Sequence, residues 1–424
     1  MRILFQMRPD FEENVGDDTV QAARTAEKLR ELGVDADVSG SLAPDLSSYD
    51  LVHLFDAELP EPTFRHTLRA RAGGHPMVLT PFFWWPPLGG ESLEEVDREN
   101  LRQRYSAMRR MAFGLADALL TPSRVELEVI SSHFSTLPRT IEIVPVGVDE
   151  KSATGDGERF CGRHGLPLRG FVLCVGRREE RKNQLRLIEA CAPLGVPLVL
   201  IGDEGEDGLG YSAACRDLAE RLGVDVRFLS YLSSEEVVDA YAAARVHALP
   251  SIWETVGLAS LEAALGGCNV VSTRNCGVGE YLGELAWYCD PEPVESIHDA
   301  VAAAFAAPLD DRLRDHITER FTWRQAAEKT RATYEVVVSE RSTEPEEENW
   351  RAELTPEQYI EHLESLIQLQ LETIALRDGH YAHAREQAER ASEYAQSLEA
   401  ERARLEGELA GRRSERKLSR RFGR

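Results

Sequence analysis

The sequence predicts an α/β chain with two doubly wound parallel sheets in tandem and a helical segment after them. Short apolar runs of strand length alternate with amphipathic helical stretches over residues 1–150, and the alternation restarts near residue 171. A polar stretch rich in glycine and charge, residues 150–169, separates the two series. Strands that alternate with helices are typical of βαβ units, so we expect two Rossmann-like domains that face each other across a cleft.

Each domain is expected to supply ligand-binding loops at the carboxyl ends of its strands, where ligands of such sheets bind. In the first domain, residues 1–150, the pattern predicts helices at 19–32 and about 95–115 and strands at 2–5, 51–55, 77–80, 118–120 and 141–144. In the second domain, residues 151–319, it predicts strands at 171–176, 197–202, 226–229, 246–249 and 269–272.

The composition argues against several classes of protein. A formal charge of -24 on 424 residues disfavours nucleic acid as a partner, because phosphates require a basic surface. Seven cysteines are scattered without a C-x-x-C pair, which is typical of buried thiols and argues against a disulfide framework or a zinc site. No apolar run approaches the roughly 20 residues that cross a bilayer, and the first residues do not resemble a secretory signal, so we expect a cytoplasmic protein.

Three segments of different character follow the second domain. Residues 341–354 form an acidic linker, and apolar side chains then recur on one heptad frame through residues 355–410. About 55 helical residues would span roughly 80 Å, which favours a coiled coil that joins copies of the chain or binds an assembly partner. A single solvated helix held by charge pairs is the alternative. Residues 411–424 are basic, and they would contact anionic lipid at the inner face of the membrane, stay disordered or pair with the acidic body.

The most informative stretch is residues 249–263, LPSIWETVGLASLEA. A strand ends at Pro250, and a helix begins near Gly257, where free amides would bind a diphosphate. Glu254 lies just before this helix and Glu262 about a turn and a half inside it, so both carboxylates can face one pocket. One suits the hydroxyls of a sugar and the other the diol of a ribose, because carboxylates are strong acceptors for hydroxyl pairs. The alternative is an ordinary helix cap and a surface residue.

A group of cations follows the strand that ends at Gly176. Arg177 comes directly after that strand, and Lys182 lies five residues later, before the next helix. A guanidinium would clamp a diphosphate and an ammonium would act as a mobile point charge, so the pair would stabilise a departing nucleotide. The alternative is a solvated charge cluster shared with Arg178 and Arg181.

Together these motifs resemble glycosyltransferase family four, whose members have the GT-B fold and retain the anomeric configuration. The resemblance rests on an E-x7-E pair preceded by Leu-Pro-Ser, and on Val-Gly-Arg followed by a lysine five residues later. Weaker features agree in order over residues 1–340, at 121–123, 144–149, 202–205, 228–231, 275–280 and 321–323. The last of these resembles the start of a helix, 320–340, that crosses back to the first domain.

The resemblance implies a nucleotide diphosphate sugar donor, a glycan or lipid-linked acceptor, and no cofactor or essential metal. The implied reaction is a front-face substitution in the synthesis of a cell-surface polysaccharide or glycoconjugate, with a donor phosphate oxygen deprotonating the acceptor hydroxyl. Residues 151–319 would be the donor domain, with the phosphates on Arg177 and Lys182, the sugar on Glu254, the ribose on Glu262, the base near Ser230 and Tyr231, and further contacts from the backbone of Thr255, Val256, Gly257 and Leu258.

The acceptor domain, residues 1–150, departs from the family pattern at two loops. Many members have two glycines after the first strand, where this chain has Gly16 and Asp17; Gly16 would let the backbone approach the ligand while Thr19 caps the helix. Many members have a histidine after a middle strand, where this chain has Thr80 and Phe82 at the start of an aromatic run. The aromatic rings would stack on a sugar or lipid acceptor, or form a core lid.

Three other candidate groups receive structural interpretations. His53 lies in a strand and is expected to be a hydrogen-bonded core histidine. Asp35 and Asp37 match the D-x-D of metal-dependent transferases, but their position after Gly33 favours a turn. Glu126 is expected to lie on an ordinary helix surface.

Two other functions are weighed against the transferase. A nucleotide-sugar epimerase of the same fold would need an acid/base histidine pair in the cleft, which the loops do not offer. A catalytically weak scaffold would only present its coiled coil to partners, and it would have no reason to keep two carboxylates and two cations in the donor loops. Hydrolysis of a nucleotide sugar would separate an enzyme from a scaffold.

Overall fold

The predicted pair of parallel sheets is present in a computed structural model of the chain. The structure describes residues 1–12, 16–57, 60–83, 106–204, 208–230, 232–274 and 277–343. Residues Met1–Arg341 form one compact unit that holds two six-stranded sheets, and all their pairings are parallel. The predicted coiled coil (355–410) and basic tail (411–424) lie outside the described residues, as does all of the acidic linker (341–354) except its first three residues.

The first sheet has the order β2-β1-β3-β4-β5-β6. Its strands are β1 (Arg2–Gln6), β2 (Asp35–Ser39), β3 (Leu51–Phe55), β4 (Met77–Thr80), β5 (Ala118–Thr121) and β6 (Thr140–Ile143). Its helices are α1 (Asp17–Glu31), α2 (Pro60–Ala72), α3, described over 106–115, and α4 (Arg124–His133). All five strands predicted for this domain are therefore confirmed.

Asp35 and Asp37 lie inside β2, so the turn interpretation of this pair is wrong. Ala36 between them is fully buried, which gives the strand its inward-facing side. Both carboxylates pair with Arg2 on the neighbouring β1, at 3.5 Å and 2.8 Å. An ion pair across the two strands thus accommodates two acidic residues in an element that usually excludes them.

The second sheet has the order β12-β11-β10-β7-β8-β9. Its strands are β7 (Val172–Val175), β8 (Leu198–Ile201), β9 (Val226–Leu229), β10 (Val246–Ala248), β11 (Asn269–Thr273) and β12 (Trp287–Cys289). Its helices are α5 (Gly157–His164), α6 (Gln184–Cys191), α7 (Gly208–Leu222), α8 (Ser234–Ala243), α9 (Leu258–Leu265), α10 (Val278–Leu282), α11 (Val294–Ala306) and α12 (Arg312–Arg320). The strand order reverses between β7 and β10, so the loops after these two strands flank the crevice where such sheets bind ligands.

The last described helix, α13 (Trp323–Thr343), returns to the first domain, as the sequence predicts. Trp323 and Tyr334 are buried in the same core as the first-domain strands. The Tyr334 hydroxyl lies 2.5 Å from Nδ1 of His53, which confirms that His53 is a hydrogen-bonded core residue. Gly147 passes so close to α13 that a Cβ atom there would lie 2.3 Å from the backbone nitrogen of Trp323.

Two side chains of α10 join the second domain to the first. The backbone N–H groups of Arg124 and Val125 donate to the Glu280 carboxylate at 3.0 Å and 2.7 Å. The hydroxyl of Tyr281 donates to the carbonyl of Pro122 at 2.6 Å. A carboxylate from one domain therefore caps the first turn of α4 in the other, where free N–H groups and the helix dipole favour negative charge.

The predictions about the cysteines and about membrane-spanning segments are tested only within the described residues. The six cysteines there are free and buried, as predicted, and Cys276 lies outside them. No helix among the described residues is long and apolar enough to cross a membrane.

Candidate active site

The turn between β10 and α9 presents a row of free backbone donors beside the end of β7. Gly257 occupies the N-cap of α9 with φ +71° and ψ 50°, a left-handed conformation that glycine adopts without strain. None of the described residues supplies an acceptor to the N–H groups of Thr255, Val256, Gly257 or Leu258. Free amides at a helix start can bind an anion, which is the role that the motif predicts for this turn.

Glu254 lies just before this turn and is almost fully buried, at 3% exposure. Its carboxylate accepts hydrogen bonds from Lys182 Nζ, from Arg181 Nη1 at 3.2 Å and from the Ser251 hydroxyl at 3.2 Å. Burial opposes ionisation, but the charges of Lys182 and Arg181 outweigh it and lower the pKa of Glu254 below 4.5. Glu254 is therefore an ionised, fixed acceptor at neutral pH.

Arg181 is a member of the site that the predicted roles leave out. Its guanidinium lies between Glu254 and Glu179, which accepts from Nη2 at 2.7 Å. The same group stands 4.5 Å from the ring centroid of Trp253. Two carboxylates and an aromatic face hold this cation, so the solvated charge cluster is the wrong interpretation for Arg181.

Arg177 differs from its neighbours because it is exposed. Its side chain is 57% exposed, and its ion pair with Glu179 is long, at 3.9 Å. Lys182, by contrast, is 12% exposed and packs beside Gly176. The loop after β7 thus provides one exposed guanidinium and one ammonium held against Glu254.

Glu262 lines a cavity of about 680 Å³ between the two domains. Tyr241 donates to Glu262 Oε2 at 3.0 Å, and burial together with this carboxylate raises the pKa of Tyr241 well above 10. Leu258 of α9, Thr19 of α1 and Trp323 of α13 also line the cavity. Its volume lies within the range of small-molecule sites, so Glu262 is placed to meet a ligand of nucleoside size.

The loops predicted to face a base lie at the ends of β8 and β9. Ser230 is described, and its hydroxyl accepts from the Arg178 guanidinium at 3.0 Å. Tyr231 lies outside the described residues. Arg178 is only 2% exposed, so it does not belong to a solvated charge cluster either.

Gly16, at the start of α1, takes the N-cap position that the sequence assigns to Thr19. Gly16 is extended, with φ -120° and ψ -176°, and it has no side chain to cap the helix. The hydroxyl of Thr19 donates to the carbonyl of Phe11 at 3.3 Å, so the predicted cap is wrong. Asp17 is the first residue of α1.

Thr80 and Phe82, predicted on the acceptor side, are both buried, at 2% and 5% exposure. The Thr80 hydroxyl lies 2.8 Å from Nε2 of His53. Phe82 has φ +45°, a conformation that is uncommon for a bulky residue and that often marks functional loops. Trp84 and Trp85, which continue the aromatic run, lie outside the described residues.

Glu126 is buried, at 2% exposure, so the surface interpretation of this residue is wrong. Its carboxylate accepts the N–H of Phe83 at 2.8 Å, and its own N–H donates to the Ser123 hydroxyl at 3.1 Å. The first turn of α4 packs against the loop after β4, which brings Glu126 inward. This carboxylate therefore fixes the start of the aromatic run.

No three His, Cys, Asp or Glu side chains in the described part of the chain are grouped so that they would hold a metal ion. Metal independence is nevertheless a statement about the reaction, and it stays a prediction.

Comparison with known proteins identifies the fold of the described residues. Residues 167–321 match the family model described as glycosyl transferases group 1. Sucrose-phosphate synthase from Thermosynechococcus elongatus superposes with a TM-score of 0.67 at 16% identity, covering 80% of this chain and 100% of that one. The fold is GT-B. Anabaena Alr3699/HepE in complex with UDP has a TM-score of 0.66 at 16% identity, covering 79% and 100% of the two chains.

The curated relatives that this GT-B chain matches are glycosyltransferases by name. D-inositol 3-phosphate glycosyltransferase of Corynebacterium jeikeium is 31% identical over 246 residues, which cover 52% of this chain and 57% of the relative. O-antigen chain mannosyltransferase B of Escherichia coli is 30% identical over 190 residues, which cover 41% and 48%. The chain thus spans about half the length of the curated relatives it matches.

Proposed function

We propose that this chain is a retaining glycosyltransferase that moves a hexose-type sugar from a nucleoside diphosphate to a glycan or lipid-linked acceptor. The observation that carries the proposal is the buried, ionised Glu254 beside four amides at the start of α9 that find no acceptor among the described residues. An ionised acceptor and an anion site side by side match the two parts of a sugar diphosphate, its hydroxyls and its phosphates. The similarity of residues 167–321 to group 1 glycosyl transferases supports the same conclusion.

In the proposed reaction, the bond between the sugar C1 and the donor phosphate oxygen breaks while the acceptor oxygen bonds to C1 on the same face. The acceptor proton passes to the departing phosphate oxygen. Arg177, Lys182 and the amides of Thr255 to Leu258 would stabilise the negative charge that develops on the phosphate. Glu254 would orient the sugar through its hydroxyls and would not act as a nucleophile.

Glu262 would bind the ribose diol inside the cavity between the domains. Because the cations of the β7 loop supply positive charge at the diphosphate, we propose that no metal ion is essential.

The scaffold alternative is tested by the ligand experiment below, since a scaffold would bind no nucleotide. The epimerase alternative is tested by analysis of the products, since an epimerase would invert the sugar of its substrate instead of transferring it.

The donor nucleotide is identified by measuring the melting temperature of the full chain with UDP, GDP, ADP, TDP or CMP in the presence of EDTA. A ligand at about a hundred times its dissociation constant stabilises the folded state by about 2.7 kcal/mol. One nucleotide should raise the melting temperature of the wild type, and it should leave an Arg177→Ala/Glu262→Ala variant unchanged. Absence of any shift, or a shift that survives in the variant, would contradict the assigned donor site.

We further propose that residues 355–410 form a coiled coil that joins copies of the chain, and that the basic residues 411–424 contact anionic lipid. Sedimentation velocity of the full chain is expected to give the mass of an oligomer. A monomer mass at micromolar concentration would favour the solvated single helix. Co-sedimentation with vesicles that contain phosphatidylserine tests the lipid contact, which should weaken as salt is added.

A further inference from the structure

Arg178 is a buried cation for which the proposed donor chemistry has no use. It is 2% exposed, and it is among the largest fully buried side chains of the described residues. The exposed Arg177 is its direct neighbour in the chain. Burial of a guanidinium is unfavourable unless its donors are satisfied, so its partners indicate what it holds in place.

The partners of Arg178 come from three different elements. Its Nε donates to the Ser212 hydroxyl of α7 at 3.0 Å, and its Nη2 donates to the Ser230 hydroxyl, just after β9, at 3.0 Å. Its Nη1 donates to the carbonyl of Gly202, just after β8. The carboxylate of Glu204, in the same loop, is 3.9 Å from Nη2.

These contacts join the carboxyl ends of β7, β8 and β9 through one planar fork. The backbone N–H of Arg178 also donates to the carbonyl of Asp203 at 2.8 Å, so the main chain follows the same path. A guanidinium has five donors in a rigid geometry, which an ammonium does not reproduce. The relative position of the two loops after β8 and β9 therefore depends on this side chain.

The hydroxyl of Ser230 is already engaged on both sides. It accepts from Arg178 at 3.0 Å and lies 3.4 Å from the carbonyl of Gly202, to which it donates. The diphosphate side of the proposed site is built from the start of α9, from Arg177 and from Lys182, which Glu254 holds in place. Base-side and phosphate-side geometry thus rest on different side chains.

We propose that Arg178 is a positioning residue for the nucleotide base. By fixing the loops after β8 and β9, it sets the affinity for the nucleoside part of the donor and leaves the affinity for the diphosphate part unchanged. Ser230 acts through the same fork, by holding its loop to Arg178. The inference rests on the proposed function, since it assumes that a nucleoside diphosphate binds at this crevice.

The test compares two ligands on the full chain by titration calorimetry. One is inorganic pyrophosphate, and the other is whichever of UDP, GDP, ADP and TDP the wild type binds. Arg178→Lys keeps the charge but loses the fork. We expect it to weaken the affinity for the nucleoside diphosphate by about tenfold or more, and the affinity for pyrophosphate by less than about twofold.

Two serine variants provide a matched pair that alters the fork without removing the cation. Ser230→Ala cuts the link to the β9 loop and should reproduce the selective loss. Ser212→Ala cuts an equally short bond to α7, and it should leave both affinities within about twofold of wild type. The double variant Arg178→Lys/Ser230→Ala should bind the nucleoside diphosphate as tightly as whichever single variant binds it less tightly, because both substitutions act through one contact.

Three outcomes would overturn the proposal. The first is an unchanged affinity of Arg178→Lys for the nucleoside diphosphate, and the second is an equal loss of its affinity for pyrophosphate. The third is a loss of affinity in the double variant that equals the sum of the two single losses in free energy. If Arg178→Lys does not fold, Ser230→Ala against Ser212→Ala decides the question alone. A wild type that binds none of the four nucleotides would instead overturn the proposed function, and the inference with it.

Discussion

Replacement of Glu254 by glutamine is expected to lower the rate of sugar transfer by about 100- to 1000-fold, the range seen when one fixed electrostatic group is removed from an active site. Glutamine has nearly the same shape but no charge, and it presents one acceptor oxygen in place of two. Lys182 and Arg181 would then lose their shared counter-charge at the donor site. The measurement is initial rate with saturating donor, normalised to the folded fraction of each protein.

The same substitution should also lower stability, because it removes the buried carboxylate that pairs with Lys182 and that Arg181 shares with Glu179. Breaking a buried ion pair costs about 3 kcal/mol or more. The pKa of Glu254 is lowered in the folded state, so its contribution is present above the ordinary carboxyl pKa and is lost as pH falls through the lowered value. Acid unfolding of the wild type should therefore include a component, below about pH 4.5, that Glu254→Gln lacks.

Glu179→Gln is the matched control for Glu254→Gln. Glu179 also pairs with Arg181, but its side chain is 24% exposed, whereas that of Glu254 is 3% exposed. We expect its rate to stay within about fivefold of wild type, since a more exposed ion pair contributes little. Equal rate losses in the two variants would mean that the charge on Arg181, and not Glu254, is what matters.

Substitution of alanine for Gly147 should destabilise the protein by about 3 kcal/mol or more, at the upper end of what overpacking costs. A Cβ at this position would lie 2.3 Å from the backbone nitrogen of Trp323 and 2.4 Å from its Cα. Both atoms belong to the main chain of a buried helix start, so no side-chain rotation relieves the overlap. Urea unfolding of the full chain measures the loss.

Gly162→Ala is the control for this change, with an effect of the opposite sign. Gly162 lies inside α5, and a Cβ there would meet no atom within 4 Å. Alanine is favoured over glycine in a helix interior by about 0.5–1 kcal/mol, so this variant should be slightly more stable than wild type. A Gly147→Ala protein as stable as Gly162→Ala would show that the start of α13 can move away from residue 147 at little cost.

Most strands of this chain are predictable because buried parallel strands appear as short, continuous apolar runs. The run from Val172 to Val175 and the run from Leu198 to Ile201 show this directly. The strand β12 is missed because Trp287 and Tyr288 are only partly buried at the sheet edge. The equally short β10 is fully buried and is predicted from its apolar run.

The position of a candidate site residue could be predicted where it depends only on spacing along the sequence. It could not be predicted where it depends on whether the side chain points inward or to solvent. Glu254 and Glu262 follow from their positions around a helix start. Among the cations after β7, however, Arg178 turns inward while Arg177 points to solvent, and the local sequence is nearly the same for both. The burial of Glu126 had no local signal: Ser123 three residues earlier matches a capping box, but the Glu126 carboxylate instead accepts the N–H of Phe83 from the loop after β4.

The return of α13 to the first domain makes that domain discontinuous in the chain. Trp323, Tyr334 and Val337 are buried in one core with strands of the first sheet and with residues of α9, α10 and α12 of the second domain. On the ribosome, domains generally fold from the N-terminus as they emerge. Here the first sheet would have to wait, with part of its apolar surface uncovered, until the whole second domain and α13 have been synthesised. The domain that is translated first therefore cannot complete its core until the last described helix has been made.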